Sequence, residues 1–177
     1  MSGVLDPRPH LGEPLALDLL NTRWMTADEP QDLLHDVAGL DSWLTTNTLA
    51  DRCRSDEPTL RALRHAREAI LTAVRIGSTE FDDLNDVLAH AHIRRTLTAT
   101  GPVDVPEVPA TEWLPGWLAA DNLLHLLADA PHRIKKCDHP RCILFFYDTS
   151  KNGTRRWHSM STCGNRVKAA RHQAKKT

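Results

Sequence analysis

The chain has 177 residues, 25% of them charged, with a formal net charge of −1. That length accommodates one medium domain and one small one, and no run of eighteen apolar residues exists to span a membrane. The near-zero total hides a separation: residues 133–177 carry twelve Lys and Arg against Asp138 and Asp148, a formal +10, leaving −11 for the rest. Such asymmetry predicts a basic part that meets an anion and an acidic part that does not.

Gly12-Glu13-Pro14 opens a short helical pattern with Leu15, Leu19 and Leu20 on one face, ended or bent at Asn21-Thr22. Asp28-Glu29-Pro30 is expected to start a second short helix. A third runs from Asp36 to Asn47 on a stripe of Leu40, Trp43 and Leu44. Asp56-Glu57-Pro58 begins the strongest helix, with Leu60, Leu63, Ala66, Ile70 and Val74 at spacings of three and four, and Gly77 as its stop. Ser78 or Thr79 is expected to cap the next, which runs to about His92. The period then changes: Ile93 to Ala99 alternates like a strand. Gly101 to Pro115, with four prolines, reads as loop or edge strand. A last helix spans Gly116 to about Ala130, and Pro131-His132 marks the boundary between a helical domain, 1–131, and a basic module, 132–177.

That module holds a C-x4-C-x15-H-x4-C array: Cys137, Cys142, His158 and Cys163. Two ligand pairs of matched spacing are the pattern of a small tetrahedral zinc site. His139 lies inside the first pair and is hard to bring round, and His132 and His172 lie outside the spacing. Cys53 stands apart as a small buried hydrophobe. The apolar run Ile143 to Tyr147, the turn dipeptide Asn152-Gly153 and a return over Arg155-Arg156-Trp157 predict a hairpin that delivers His158. A helix is expected to start near Cys163-Gly164, with Val167, Ala170 and Ala174 as its apolar stripe. The fold class is therefore mainly α with a small β component: a helical N-terminal domain and a treble-clef-like zinc module of β-hairpin and helix. Three thiolates and one imidazole fill a tetrahedral Zn2+, so the one ion is expected to be structural, with no position open to substrate.

Asp148-x-Ser150-x4-Arg155-Arg156-Trp157-x-Ser159-Met160-x2-Cys163-Gly164-Asn165-Arg166-x-Lys168 resembles the CGNR zinc finger, a match dense over residues 137–172. In that family the position of His158 is commonly a cysteine, so this chain reads as a Cys-to-His ligand exchange. Leu15-Ala16-Leu17-Asp18-Leu19-Leu20-Asn21-Thr22 resembles the start of the ABATE domain, which usually precedes this finger. The resemblance implies a bacterial stress-induced transcription regulator, with a DNA-binding finger and an N-terminal domain that senses a small molecule.

The residues themselves point to double-stranded DNA. Arg155, Arg156, Arg166, Lys168 and Arg171 are the expected phosphate contacts, and five such cations give a slope of log K against log salt of about −4 to −5. Arg166, Arg156 and Asn165 have the chemistry to read base edges. Asp18, Asn21, Arg64 and Arg67 are candidate lining for an effector pocket in the helical domain. One finger covers few base pairs, so a homodimer is a candidate assembly. The rival reading is a zinc-organised RNA- or protein-binding adaptor. No compact nucleophile-base set, Gly-rich phosphate loop or carboxylate pair occurs in residues 1–132, so no enzyme is expected. The N-terminus lacks a basic start followed by an apolar stretch, so no secretory signal is expected and the location reads as cytoplasmic.

Overall fold

A computed structural model describes residues 6–26, 29–75 and 78–166. The helical domain is built from α1 (Leu15–Leu20), α2 (Val37–Thr46), α3 (Glu57–Ala73), α4 (Asp82–Ala89) and α5 (Leu114–Asp129). Two small antiparallel pairs interrupt them. One joins β1 (Arg23–Thr26) to β2 (Glu29–Asp32), the other β3 (His92–Thr98) to β4 (Gly101–Glu107). A third pair, β5 (Ile134–Lys136) with β6 (Phe145–Tyr147), begins the basic module. No helix among the described residues is long and apolar enough to cross a membrane.

The helices start where their caps dictate. Asp36 accepts from the Gly39 amide at 2.8 Å and Asp56 from the Thr59 amide at 3.0 Å, satisfying donors that the first turns leave unpaired. The apolar stripe of α3 (Leu60, Leu63, Ala66, Ile70) is fully buried against α1, α2, α4 and α5. Where α3 meets α5, a Cβ on Gly116 would come within 2.8 Å of the Ala66 Cβ, so the missing side chain lets the two helices approach. Trp43 from α2 is fully buried and donates its indole N–H to Asp18 at 2.9 Å.

Three expected elements differ. Residues 29–32 form strand β2 rather than a helix, with Trp24 facing Gln31 and Met25 facing Pro30 across the ladder. Asp32 decides this: it caps a single 3-10 turn at Leu33–His35 through the Leu34 amide and takes both terminal nitrogens of Arg67, at 2.6 and 2.8 Å. Pro30 lacks an N–H but is tolerated in a two-stranded ribbon. α4 starts at Asp82, later than Ser78 or Thr79, because the Ser78 hydroxyl turns back to accept from the Glu80 amide. α3 ends at Ala73 with Val74 as its cap residue; Gly77 lies outside the described residues.

The strand expected after residue 93 is present as β3, and the proline-rich stretch supplies its partner β4. This ribbon is held largely by its own cross-strand pairs, Arg95 with Asp104 and both Arg94 and His92 with Glu107. Leu97 near its tip is 82% exposed.

Candidate metal centre

β5 runs directly into Cys137, and β6 begins three residues after Cys142. The Cys137 amide donates to the Leu144 carbonyl at 2.9 Å and the Cys142 amide to the His139 carbonyl at 2.9 Å, so the two-cysteine loop is itself the turn of the β5–β6 hairpin. Lys135 faces Phe146 across that ladder. The expected hairpin between β6 and Arg155–Trp157 is therefore not formed. The cysteine loop reverses the chain first and hands β6 a partner on its N-terminal side. The turn at Asn152-Gly153 does exist, with Gly153 at φ +60.

After β6 the chain runs as an irregular segment organised by one buried carboxylate. Asp148 has no solvent exposure. Its Oδ1 accepts from the Ser150 amide at 3.0 Å and the Ser150 hydroxyl at 2.6 Å, and its Oδ2 from Lys135 Nζ at 2.7 Å and the Arg155 amide at 2.8 Å. Burial opposes ionisation of this carboxyl, but the Lys135 ammonium and the Ser150 and Arg155 donors outweigh it and hold the group well below the usual carboxylate range. Lys135 also donates to the Gly153 carbonyl at 2.6 Å. Arg155 lies over the Phe146 ring, 4.7 Å from its centroid, and donates to the carbonyls of Trp157 and His158. The loop is thereby fixed in the shape that carries His158 back to the cysteines. The Asp138 amide, bonded to the Arg156 carbonyl at 2.9 Å, ties both halves together.

Ser159 caps the final turn through the Thr162 amide, and that turn, Met160–Gly164, delivers Cys163. The side-chain ligand atoms of Cys137, Cys142, His158 and Cys163 all lie within 4.8 Å of one another. His158 Nδ1 is 3.6 Å from Cys142 Sγ, which makes it the nitrogen turned to the thiols. Three of the four residues are buried, and no pair of cysteines is bridged. Burial, with Cys137 and Cys163 adding, pushes the Cys142 thiol up to about 12, and Cys163 is raised for the same leading reason. Burial, aided by His10 and Arg155, lowers His158 to about 4, so its ring is neutral and its lone pair is available. Three crowded thiols, with Cys142 and Cys163 resisting ionisation, beside a neutral imidazole form a donor set that suits one tetrahedral zinc ion with no ligand position left over.

The centre rests on the helical domain. Asn21, at the end of α1, donates Nδ2 to the Phe145 carbonyl at 2.9 Å and accepts from the Phe145 amide at 2.8 Å. Glu13 accepts from the Tyr147 amide at 2.8 Å and holds His10 Nε2 at 2.8 Å. The His10 ring in turn lies 4.9 Å from the ring of His158. Two side chains thus occupy the open edge of β6 as a neighbouring strand would. Asn21→Ala is expected to orphan both Phe145 groups and cost about 2 kcal/mol. A urea midpoint that does not move would show the clamp to be idle.

The four residues proposed from sequence to line an effector pocket do not converge. Asp18 is buried and accepts from Arg8 (2.8 Å), Trp43 and Asn47 (3.0 Å). Asn21 clamps β6, Arg64 donates to the Leu34 carbonyl at 2.6 Å, and Arg67 holds Asp32 and the Thr22 hydroxyl. Each is engaged by a different partner, with only the Arg67 Nε left without a hydrogen bond, and helical periodicity alone could not reveal that. Among the expected DNA contacts, Arg155 is engaged inside the module. Arg156 is on the surface, paired with Asp138 at 2.7 Å and stacked near Trp157. Asn165 and Arg166 are exposed just after Cys163, with Asn165 reaching the Ser161 carbonyl at 3.4 Å. Lys168, Arg171 and the stripe of Val167, Ala170 and Ala174 lie outside the described residues. Sequence reading gave no role to Lys135, Asp148, Glu13 or His10. For Asp148 the signal was present, since Asp two residues before Ser is the pattern of a local side-chain turn.

A helical domain joined to a Cys3His hairpin-and-turn centre is the architecture of a zinc-finger protein. Residues 13–130 match the ABATE family, described as "Putative stress-induced transcription regulator", and residues 133–176 match the CGNR zinc finger. The chain belongs to the ABATE family and ends in a CGNR zinc finger. No curated protein matches it.

Proposed function

We propose that the protein is a transcription regulator, and no enzyme, that binds double-stranded DNA in the bacterial cytoplasm through its zinc-organised finger. The observation that carries this reading is the position of Cys163. As a ligand it anchors the start of the segment that bears Asn165 and Arg166, both exposed, with the expected contacts Lys168 and Arg171 after them in a module of formal charge +10. The zinc acts as a staple, since four protein ligands leave it no site for substrate. The Arg156–Asp138 pair is exposed and contributes little, so Arg156 can exchange its partner for a phosphate at small cost. Phe146 is buried, and Arg155 lies over its face, which disfavours base stacking on single-stranded RNA. A homodimer would set two fingers on one duplex, and the helical domain is the natural place for that contact and for an effector.

With Arg155 engaged internally, four cations remain (Arg156, Arg166, Lys168, Arg171), and the slope of log K against log salt is expected near about −3.6. Arg166→Ala should keep one zinc per chain, lower duplex affinity about tenfold and flatten that slope by about 1. Preference for single-stranded RNA over duplex DNA in the same titration would replace this reading with the adaptor one.

A further inference from the structure

A groove of about 1350 Å³ lies between the helical domain and the finger. Its floor is apolar and comes from both sides: Leu20, Leu71 and Val74 from the helical domain, Ile134, Ile143 and Phe145 from the finger. Its charge is one-sided. Residues 1–132 carry a net −11, and their charged contribution to this wall is Arg23, Arg67 and Arg75, of which Arg23 and Arg67 are already paired with Asp32 and Glu68 while Arg75 is not. From the finger come Lys135, Lys136, Arg155 and Arg156, against a single acid, Asp138, which Arg156 already occupies. Arg75 and Lys136 have no side-chain partner among the described residues. Arg67 is 1% exposed; its Nε makes no hydrogen bond, and the nearest carboxylate oxygen, Glu68 Oε1, lies 3.7 Å away. The unpaired Arg75 and Lys136 are the groups free to take an anionic oxygen.

We infer that this groove binds a small organic anion, a carboxylate or phosphate monoester on an acyl or aryl body. The apolar floor takes the body, and the cationic rim takes the head group. The chain's own segment 167–177 carries four Lys and Arg and no acid, so it is no match for this wall. The assignment gives the effector in the regulator reading a place and a chemistry, and depends on that reading only for its effect on DNA. Arg156 belongs both to the groove and to the expected DNA face. An anion bound here therefore competes with phosphate for the same guanidinium, and DNA and ligand weaken each other reciprocally.

The test uses the full-length zinc-loaded chain without DNA. The fluorescent anion 1-anilinonaphthalene-8-sulfonate is titrated to saturation and then displaced, below micellar concentrations, by decanoate, decyl phosphate, decanol or inorganic phosphate. The expected result is one saturable site per chain, displaced by decanoate or decyl phosphate at least tenfold better than by decanol or inorganic phosphate. The ratio of the two anions identifies the head group. The double variant Arg75→Glu/Lys136→Glu, with zinc content and helicity unchanged, should weaken both anions at least tenfold. Equal displacement by decanol and decanoate, or full affinity in the double variant, overturns the assignment. Arg166→Ala is expected to retain anion binding while losing duplex affinity, so failure of the groove and failure of the DNA reading give different results.

Discussion

Cys163→Ser is expected to yield protein with less than one zinc per chain and a finger that no longer protects its amides from exchange. The remaining two thiols and His158 leave the tetrahedron one ligand short, and among the described residues the module has little else to fold on: a hairpin of three-residue strands and two buried apolar side chains, Leu144 and Phe146. Structural zinc supplies about 10–16 kcal/mol of apparent binding energy in such modules, more than their small cores provide. Exchange mass spectrometry should show residues 134–166 opening while α3 and α5 keep their protection. Because Asn21 and Glu13 bond to β6, α1 should also lose some protection, and that partial loss distinguishes a docked finger from a tethered one. Full protection of the finger in metal-free Cys163→Ser protein would show that the fold does not depend on the ion.

Asp148→Ala should come second in severity. It strips four hydrogen bonds at once and leaves the Lys135 ammonium, 24% exposed, without its counter-charge. Removing one member of such a pair costs about 3–5 kcal/mol. Zinc affinity should fall as well, by about 10- to 100-fold in competition with a chromogenic chelator, because the loop that carries His158 loses its anchor. The pH dependence takes its sign from the lowered carboxyl. The unfolded chain binds this proton near the ordinary value of 3.8, and the folded chain only further down. The contribution of Asp148 is therefore fully present above pH 3.8 and fades as pH falls through the folded value. An Asp148→Ala protein with wild-type zinc affinity would mean that His158 reaches the thiols unaided.

The parts of this molecule readable in advance are those governed by local rules. Ligand spacing identified Cys137, Cys142, His158 and Cys163, because a metal site restricts which residue types can sit at which intervals. Asp36 and Asp56 announced α2 and α3, since a capping carboxylate acts within three residues of itself. The failures have a common cause in distance. β5 is three residues long, Ile-Lys-Lys, too short and too charged to register as a strand; only the closed cysteine loop makes it one. The segment at 29–32 became β2 because Arg67, thirty-five residues away, holds Asp32. Of the polar groups on α1 and α3 expected to line a pocket, Arg67 does border the groove, while Asp18, Asn21 and Arg64 are engaged by partners that periodicity does not show.

The side chains lying along the open edge of β6 carry a consequence for anyone who divides the protein. A fragment beginning near residue 132 would lose Asn21 and Glu13 and present bare amide and carbonyl groups on a strand rich in Phe and Tyr, a template on which further copies could stack. The N-terminal domain thus shields that edge, and the finger alone should aggregate more readily than the two halves kept together.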